Sequence, residues 1–495
     1  MYWAFGEALV SRLARTHRGV QMLFNSIEFL LMFLPLALAG FHWLNTRSSQ
    51  RAGVTFLVAA SLVFFAYWDG RYLVLLAGSM AWNWLIAQRL MKGPSKTALA
   101  AGVAGDLAVL GYFKYANFFV ATAQQITGST WNWSQVILPI GISFFTFTQI
   151  AFLVDAYRGQ VKERGGLNYI LFVTFFPHLI AGPILHHKEM MPQFAEIHGK
   201  RPNGRMVGYG LFLLIVGLFK KIVIADNLAK YVDPVFANVH AMEILDAWTA
   251  TVGYTLQLYF DFSAYSEMAM GIAMLFGITL PMNFDSPYKA RDISEFWKRW
   301  HMTLSRFLRD YVYIPMGGNR NGFARTLMTL WLTMLIGGIW HGAGWTFVVW
   351  GVMHGTMLVA HRVWSKTGMR LPPWAGQALT VFFVAMAWVV FRANTLDDAM
   401  LLWRKMFGLE GVVLPAAFRG LESAHINVVL SPVISGLEIL YMSVLLALCM
   451  TQRNVHEIWS SMNVPKRRHV AALTAMAAAS MFYINATSSF QYWSF

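Results

Sequence analysis

Two histidines stand thirteen residues apart in IWHGAGWTFVVWGVMHG, residues 339–355, with no Asp, Glu, Lys or Arg in the stretch. Imidazole is the side chain whose ordinary pKa places proton exchange near neutrality. In an apolar, membrane-like run an ionisable ring is costly, so it points to function. His341 follows the apolar run Leu327–Trp340 and opens HGAG. Gly342 and Gly344 weaken a continuous helix there and let backbone or substrate approach closely. A histidine held by packing at such a break can act as a general base toward a hydroxyl. His354, on the next apolar segment, either points into the same cavity or bonds a neighbouring helix. The residues alone leave both readings open.

A third histidine, His301, lies in RDISEFWKRWHMTLSRFLRDYVYIPMGGNR. Asp292 and Glu295 form a plausible capping pair. Trp297, His301, Leu304 and Leu308 fall on one helical face, while Lys298, Arg299, Arg306 and Arg309 sit mostly on the other. The spacing predicts one amphipathic helix, ended by Pro315 and MGGNRNG. His301 is then a catalytic partner or a satisfied core histidine. His178 and His186/His187 flank LIAGPIL, a Gly-Pro break that reads as a re-entrant turn. The chain has no H-E-x-x-H, no Cys/His cluster with metal spacing, no G-x-S-x-G elbow and no P-loop. Its single cysteine, Cys449, lies in an apolar run and reads as packing. Without an evident nucleophile or metal, the simplest chemistry is a histidine base working directly on a hydroxyl.

The elements that must position these rings are membrane helices. The sequence is 57% hydrophobic and only 13% charged, against roughly 25% charged in a soluble protein. Apolar runs recur along it, including Val207–Ile224, Thr249–Phe262 and Met268–Leu280. These runs predict an all-α polytopic membrane protein with about a dozen membrane helices, some of them re-entrant. The net charge of +15 reads as positive-inside topology and contact with membrane lipid, with no nucleic acid. Arg89/Lys92/Lys96, Lys220/Lys221 and Lys466/Arg467/Arg468 read as basic clusters at the ends of apolar runs. Residues 1–21 read as an N-terminal extension or upstream start, and 22–495 as one membrane domain.

FWKRWHMTLSRFLRDYVYIPMGGNR and GGIWHGAGWTFVVWGVMHG resemble the signature regions of the membrane-bound O-acyltransferase family. The likeness is greatest to its bacterial branch for alginate and exopolysaccharide O-acetylation. GYFKYANFF, LPIGISFFTFTQIAFLVDAYRG, FFPHLIAGPIL, GLFKKIVIADNLA, LYFDFSAYSEMAMGIAMLFGI and WVVFRA extend it in order along the chain. The resemblance implies a helical bundle with a central catalytic cavity, a catalytic histidine at His341 and a second polar residue at His301. His354 matches a further histidine of the bacterial branch. Also implied is an acetyl-CoA or other acyl thioester donor, with no bound cofactor and no metal. The implied location is the bacterial inner membrane, with periplasmic acetyltransferase partner proteins and polysaccharide synthesis machinery. Within the family, D-alanyl transfer to teichoic acid and peptidoglycan O-acetylation are the alternatives. A reading of another class is a proton-coupled transporter with a histidine relay. Oxyanion donors in an acyl transfer would come from His301, Ser263 or Tyr265.

Overall fold

The computed structural model describes residues 22–162, 165–414, 426–428, 436–462, 464 and 466–484. The N-terminal stretch 1–21 lies outside the described residues. What is described is helical apart from one short parallel pair, β1 (Val412–Leu414) with β2 (Ile426–Val428). The first helices are α1 (Leu34–Arg47), α2 (Gln50–Asp69), α3 (Tyr72–Lys92), α4 (Lys96–Thr127) and α5 (Ile142–Tyr157). After several shorter pieces come α6 (Gly204–Phe219) and α7 (Ile244–Leu275). The short α8 (Ile293–Arg299) and α9 (Met302–Phe307) precede α10 (Phe323–His341), α11 (Trp345–Trp364) and α12 (Pro373–Arg392). Side-chain caps start several of them: Ser49, Ser95 and Asn203 each accept a backbone N–H from the first turn, as helix N-termini require.

Among the described residues, five stretches are long and apolar enough to cross a membrane: Glu28–Arg47, Arg51–Asp69, Gly204–Ala237, Phe323–His341 and Pro373–Arg392. Helices α3, α4, α7 and α11 are also 20 residues or longer, with more polar side chains among them. This is the polytopic bundle that the composition predicts. Arg89 and Lys92 close α3 and Lys96 opens α4, so that basic cluster marks a tight helical hairpin.

Helix α7 is the axis of the bundle, buried along nearly its whole length. The sequence suggests two spans here, Thr249–Phe262 and Met268–Leu280, but the first and most of the second lie in one helix, which ends at Leu275. The charged residues at and just after the first run, Asp261 and Glu267, are paired inside the protein rather than set in a loop. Lys221 Nζ reaches Asp261 and Asp226, each at 2.8 Å, and Lys220 Nζ reaches Glu267 at 2.6 Å. The Lys220/Lys221 pair is therefore not a loop cluster at a helix end. It sits in a π-helical turn, Lys220–Ala225, within continuous helix, and both side chains are buried. Buried charges persist when each finds an opposite charge. Small residues let α6 lie against α7: a Cβ on Gly210 would come within 2.8 Å of the Gly271 carbonyl, and one on Gly217 within 2.9 Å of the Ala264 carbonyl. Close backbone approach of this kind is how membrane helices gain packing.

The Gly-Pro segment forms a buried break. Helix ends at Leu179, and residues 180–186 run on without helix, every one buried. Irregular backbone at depth is tolerated when it is enclosed by protein. Its Ile184 N–H donates to Thr303 Oγ1 at 3.0 Å, tying this re-entrant segment to the turn that carries His301. Cys449 packs partly buried in the helix Gly436–Thr451.

Candidate active site

The amphipathic helix expected around His301 is broken at His301 itself. Asp292 caps α8 by accepting the Glu295 N–H at 2.8 Å, while the Glu295 carboxylate turns to the Arg291 N–H at 2.9 Å. Helix stops at Trp300, and His301 adopts φ 43°, ψ 54°, before α9 starts at Met302. The reason is competition for backbone partners. The 283–285 segment takes bonds that a continuous helix would use: Asp285 N–H donates to the Arg299 carbonyl and Met302 N–H to the Asn283 carbonyl, both at 2.9 Å. Left-handed backbone costs a side-chain-bearing residue about 1–2 kcal/mol, and such strain concentrates at functional sites. The ring is wholly buried, edge-on to Phe262 with centroids 4.7 Å apart. Burial pushes its pKa down to about 3, so it is neutral at physiological pH.

Asn283 holds this ring. Its Oδ1 lies 3.1 Å from His301 Nδ1, and also accepts the Thr303 N–H at 3.3 Å and the Thr303 hydroxyl at 2.9 Å. Its Nδ2 donates to Ser266 Oγ on α7 at 3.2 Å.

His341 ends α10, as the glycine break predicts. Gly342 is extended, and α11 resumes after Gly344. The two helices are pressed together by glycines. A Cβ on Gly338 would fall 2.8 Å from Gly351 Cα, one on Gly351 2.8 Å from the Met334 carbonyl, and one on Gly355 3.0 Å from the Trp331 carbonyl. The last carbonyls of α10 lack helical partners, and α4 supplies them. Lys114 donates to the carbonyls of Trp340 and, at 2.9 Å, His341, while the Tyr115 hydroxyl donates to that of Ile339. The His341 ring is buried against Trp340 and Trp350, each 4.9 Å away between centroids, and Phe391 at 5.3 Å.

His354 shares this cage. It packs on Trp350 at 4.6 Å, and Trp297 of α8 donates its indole N–H to His354 Nδ1 at 3.2 Å. His354 Nε2 has no hydrogen-bond partner among the described residues. His301, Lys114 and His354 are the electrostatic neighbours of His341. The three histidines singled out in the sequence thus converge from three separate segments. Two residues were missed. Lys114 stands out as a lysine within an apolar run. Asn283 gives no local signal, because its role depends on a turn that the periodicity does not show.

The remaining candidates lie elsewhere. His178 bonds the Phe172 carbonyl at 2.9 Å. His187 contacts Asp155 at 2.9 Å, and Tyr311 bridges Asp155 and His186 at 2.9 and 3.0 Å. Tyr265 stacks on Phe24 at 4.9 Å, and the buried Ser263 hydroxyl has no hydrogen-bond partner among the described residues.

A cavity of about 760 Å³ abuts the histidine cluster. Its wall includes Met302 and Thr303, which follow His301, and Trp297, which bonds His354, together with Met334 of α10 and Leu358 of α11. Lys298, Arg306, Arg309 and Arg362 also line it. Arg306 is paired with Glu189 and Arg309 with Asp310. Lys298 and Arg362 make no ion pair among the described residues.

Three buried histidines on a broken helical frame, beside a basic-lined cavity, form the candidate active site. The chain belongs to the membrane-bound O-acyltransferase family, whose model matches residues 106–396. It is an O-acyltransferase and a membrane protein, so the transporter reading is set aside. It is 42% identical over 427 residues to the peptidoglycan O-acetyltransferase of Helicobacter pylori, covering 79% of this chain and 81% of that one. It is 41% identical over 398 residues to the probable alginate O-acetylase AlgI of Pseudomonas putida, covering 78% and 80%. A more distant likeness, 27% over 271 residues, is to the teichoic acid D-alanyltransferase of Bacillus subtilis, covering 52% and 69%.

Proposed function

We propose that the chain takes an acetyl group from a cytoplasmic thioester, acetyl-CoA, and passes it across the bacterial inner membrane for O-acetylation of an exopolysaccharide such as alginate. Periplasmic acetyltransferase proteins and the polysaccharide synthesis machinery are its partners in this reading, and the immediate acceptor is a hydroxyl of sugar or partner. The observation that carries it is the cavity beside the histidines, with Lys298 and Arg362 on its wall. Guanidinium and ammonium groups suit the phosphates of such a donor. Peptidoglycan as acceptor is the second reading, favoured by the likeness to the Helicobacter protein.

His341 acts as the base. The acceptor hydroxyl gives its proton to the neutral imidazole as its oxygen bonds to the thioester carbon and the carbonyl electrons move onto oxygen. The intermediate collapses with cleavage of the carbon–sulfur bond. The imidazolium returns the proton to the departing thiolate, leaving ester and thiol. General-base help of this kind is worth about 10²–10⁴-fold, and the enclosed site keeps water from the thioester.

The test is transfer of labelled acetyl from acetyl-CoA by protein reconstituted with its partners. Lys298→Glu with Arg362→Glu should raise the KM for acetyl-CoA at least tenfold and leave kcat within a few-fold. No labelled ester from the wild-type protein with acetyl-CoA would remove that donor. An unchanged KM in the double variant would remove the cavity as its seat.

A further inference from the structure

We propose that Asn283 is a positioning residue that fixes the polarity of the histidine pair, making His301 a hydrogen-bond acceptor toward His341 rather than a donor to the oxyanion. This rests on the acyl-transfer reading above and assigns direction within it.

A backbone N–H can only donate, so the Thr303 N–H marks the Asn283 atom it faces as the amide oxygen. The same oxygen lies 3.1 Å from His301 Nδ1. Two acceptors cannot share a hydrogen bond, so Nδ1 carries the proton. A neutral imidazole has one N–H, which leaves Nε2 with its lone pair. The other end of the amide, Nδ2, then donates to Ser266 Oγ, a hydroxyl able to accept it. Thr303 is itself oriented: its hydroxyl accepts the Ile184 N–H and donates to Asn283. The re-entrant segment and the turn before α9 therefore hold the same tautomer.

A ring locked in this way has no N–H at Nε2 to offer a developing oxyanion. It can receive one. His341 is its electrostatic neighbour, and donation from one His341 nitrogen to His301 Nε2 keeps the other His341 nitrogen as the proton acceptor for the hydroxyl. The order is Asn283 Oδ1, His301, His341, acceptor hydroxyl. The left-handed backbone at His301 belongs to this device, because it turns the residue out of the helix and onto Asn283.

The experiment compares Asn283→Asp with Asn283→Leu in the reconstituted acetyl-transfer assay, at matched membrane levels. Asp keeps an acceptor oxygen toward Nδ1–H, and Leu removes it. Asn283→Asp should retain kcat within about tenfold, whereas Asn283→Leu should lose about 10²-fold or more in kcat with the KM for acetyl-CoA unchanged, as mis-set tautomers do. In ¹⁵N-histidine spectra of the wild-type protein, the His301 signals, assigned by their loss in His301→Asn, should show Nδ1 protonated and Nε2 bare. A protonated Nε2, equal kcat losses in the two Asn283 variants, or near-normal kcat in Asn283→Leu would overturn the assignment. Absence of transfer by the wild-type protein would instead refute the acetyl-transfer reading on which it rests.

Discussion

Gly351→Ala should impair the enzyme without altering a polar side chain. The new Cβ would stand 2.8 Å from the Met334 carbonyl and 3.1 Å from both Gly338 Cα and Leu335 Cα, where ordinary contacts begin at 3.4 Å. All three neighbours are backbone, so no side chain can swing aside. Helices α10 and α11 must separate by about half an ångström or more. That carries the end of α10, with His341, away from Trp350 and His354 on α11. A misplacement near 1 Å costs about 10²-fold in rate, so a fall in kcat of about 10- to 10²-fold is expected, with the KM for the donor little changed. Gly78→Ala in α3 is the control, since a Cβ there meets nothing within 4 Å. It should leave activity intact and stabilise the helix by up to about 1 kcal/mol. Both variants would be assayed by acetyl transfer at equal membrane abundance. Full activity in Gly351→Ala would mean that helix spacing does not set the His341 geometry.

At His301, the Asn variant should retain measurable transfer while the Ala variant loses most of it. Asn keeps a hydrogen-bonding side chain and tolerates the left-handed backbone at φ 43°. His301→Gly relieves the backbone without restoring a polar group and should be as inactive as Ala; a fully active Gly variant would show that strain alone mattered. Lys221→Met should destabilise the bundle by about 3–5 kcal/mol, because it removes the cation that two buried carboxylates, Asp226 and Asp261, share. Unfolding in detergent at the wild-type midpoint would contradict that. The Arg89/Lys92/Lys96 hairpin and the Lys466–Arg468 cluster should both face the cytoplasm. Single cysteines placed at Lys96 and Arg468 in a Cys449→Ala background should resist an impermeant thiol reagent in intact cells, and labelling of either from the periplasm would reverse the topology.

What was legible in the sequence followed physical type. Membrane helices announce themselves by composition, and the glycine break after His341 by residues that weaken helix locally. The three histidines were visible because ionisable rings in apolar runs need a reason to be there. The break at His301 was hidden. Trp297, His301, Leu304 and Leu308 keep helical spacing, yet the backbone bonds there go to the 283–285 segment, a tertiary competition that no local pattern records. The same holds for α7. Asp261 to Glu267 looks like a polar gap between two spans until Lys221 is seen pairing with Asp261 and Lys220 with Glu267 from the α6 side. Lys114 was legible as an oddity, but its attachment to the carbonyls that end α10 spans more than two hundred residues.

In the proposed mechanism His341 is the base of an acyl transfer. The most direct test is the initial rate of labelled acetyl transfer to polymer by His341→Ala and His341→Asn in the reconstituted complex, with protein levels matched by blotting. The account predicts that both variants insert and accumulate normally yet lose about 10²-fold or more of the rate. Near-normal acetylation by either one, stably present in the membrane, would contradict it.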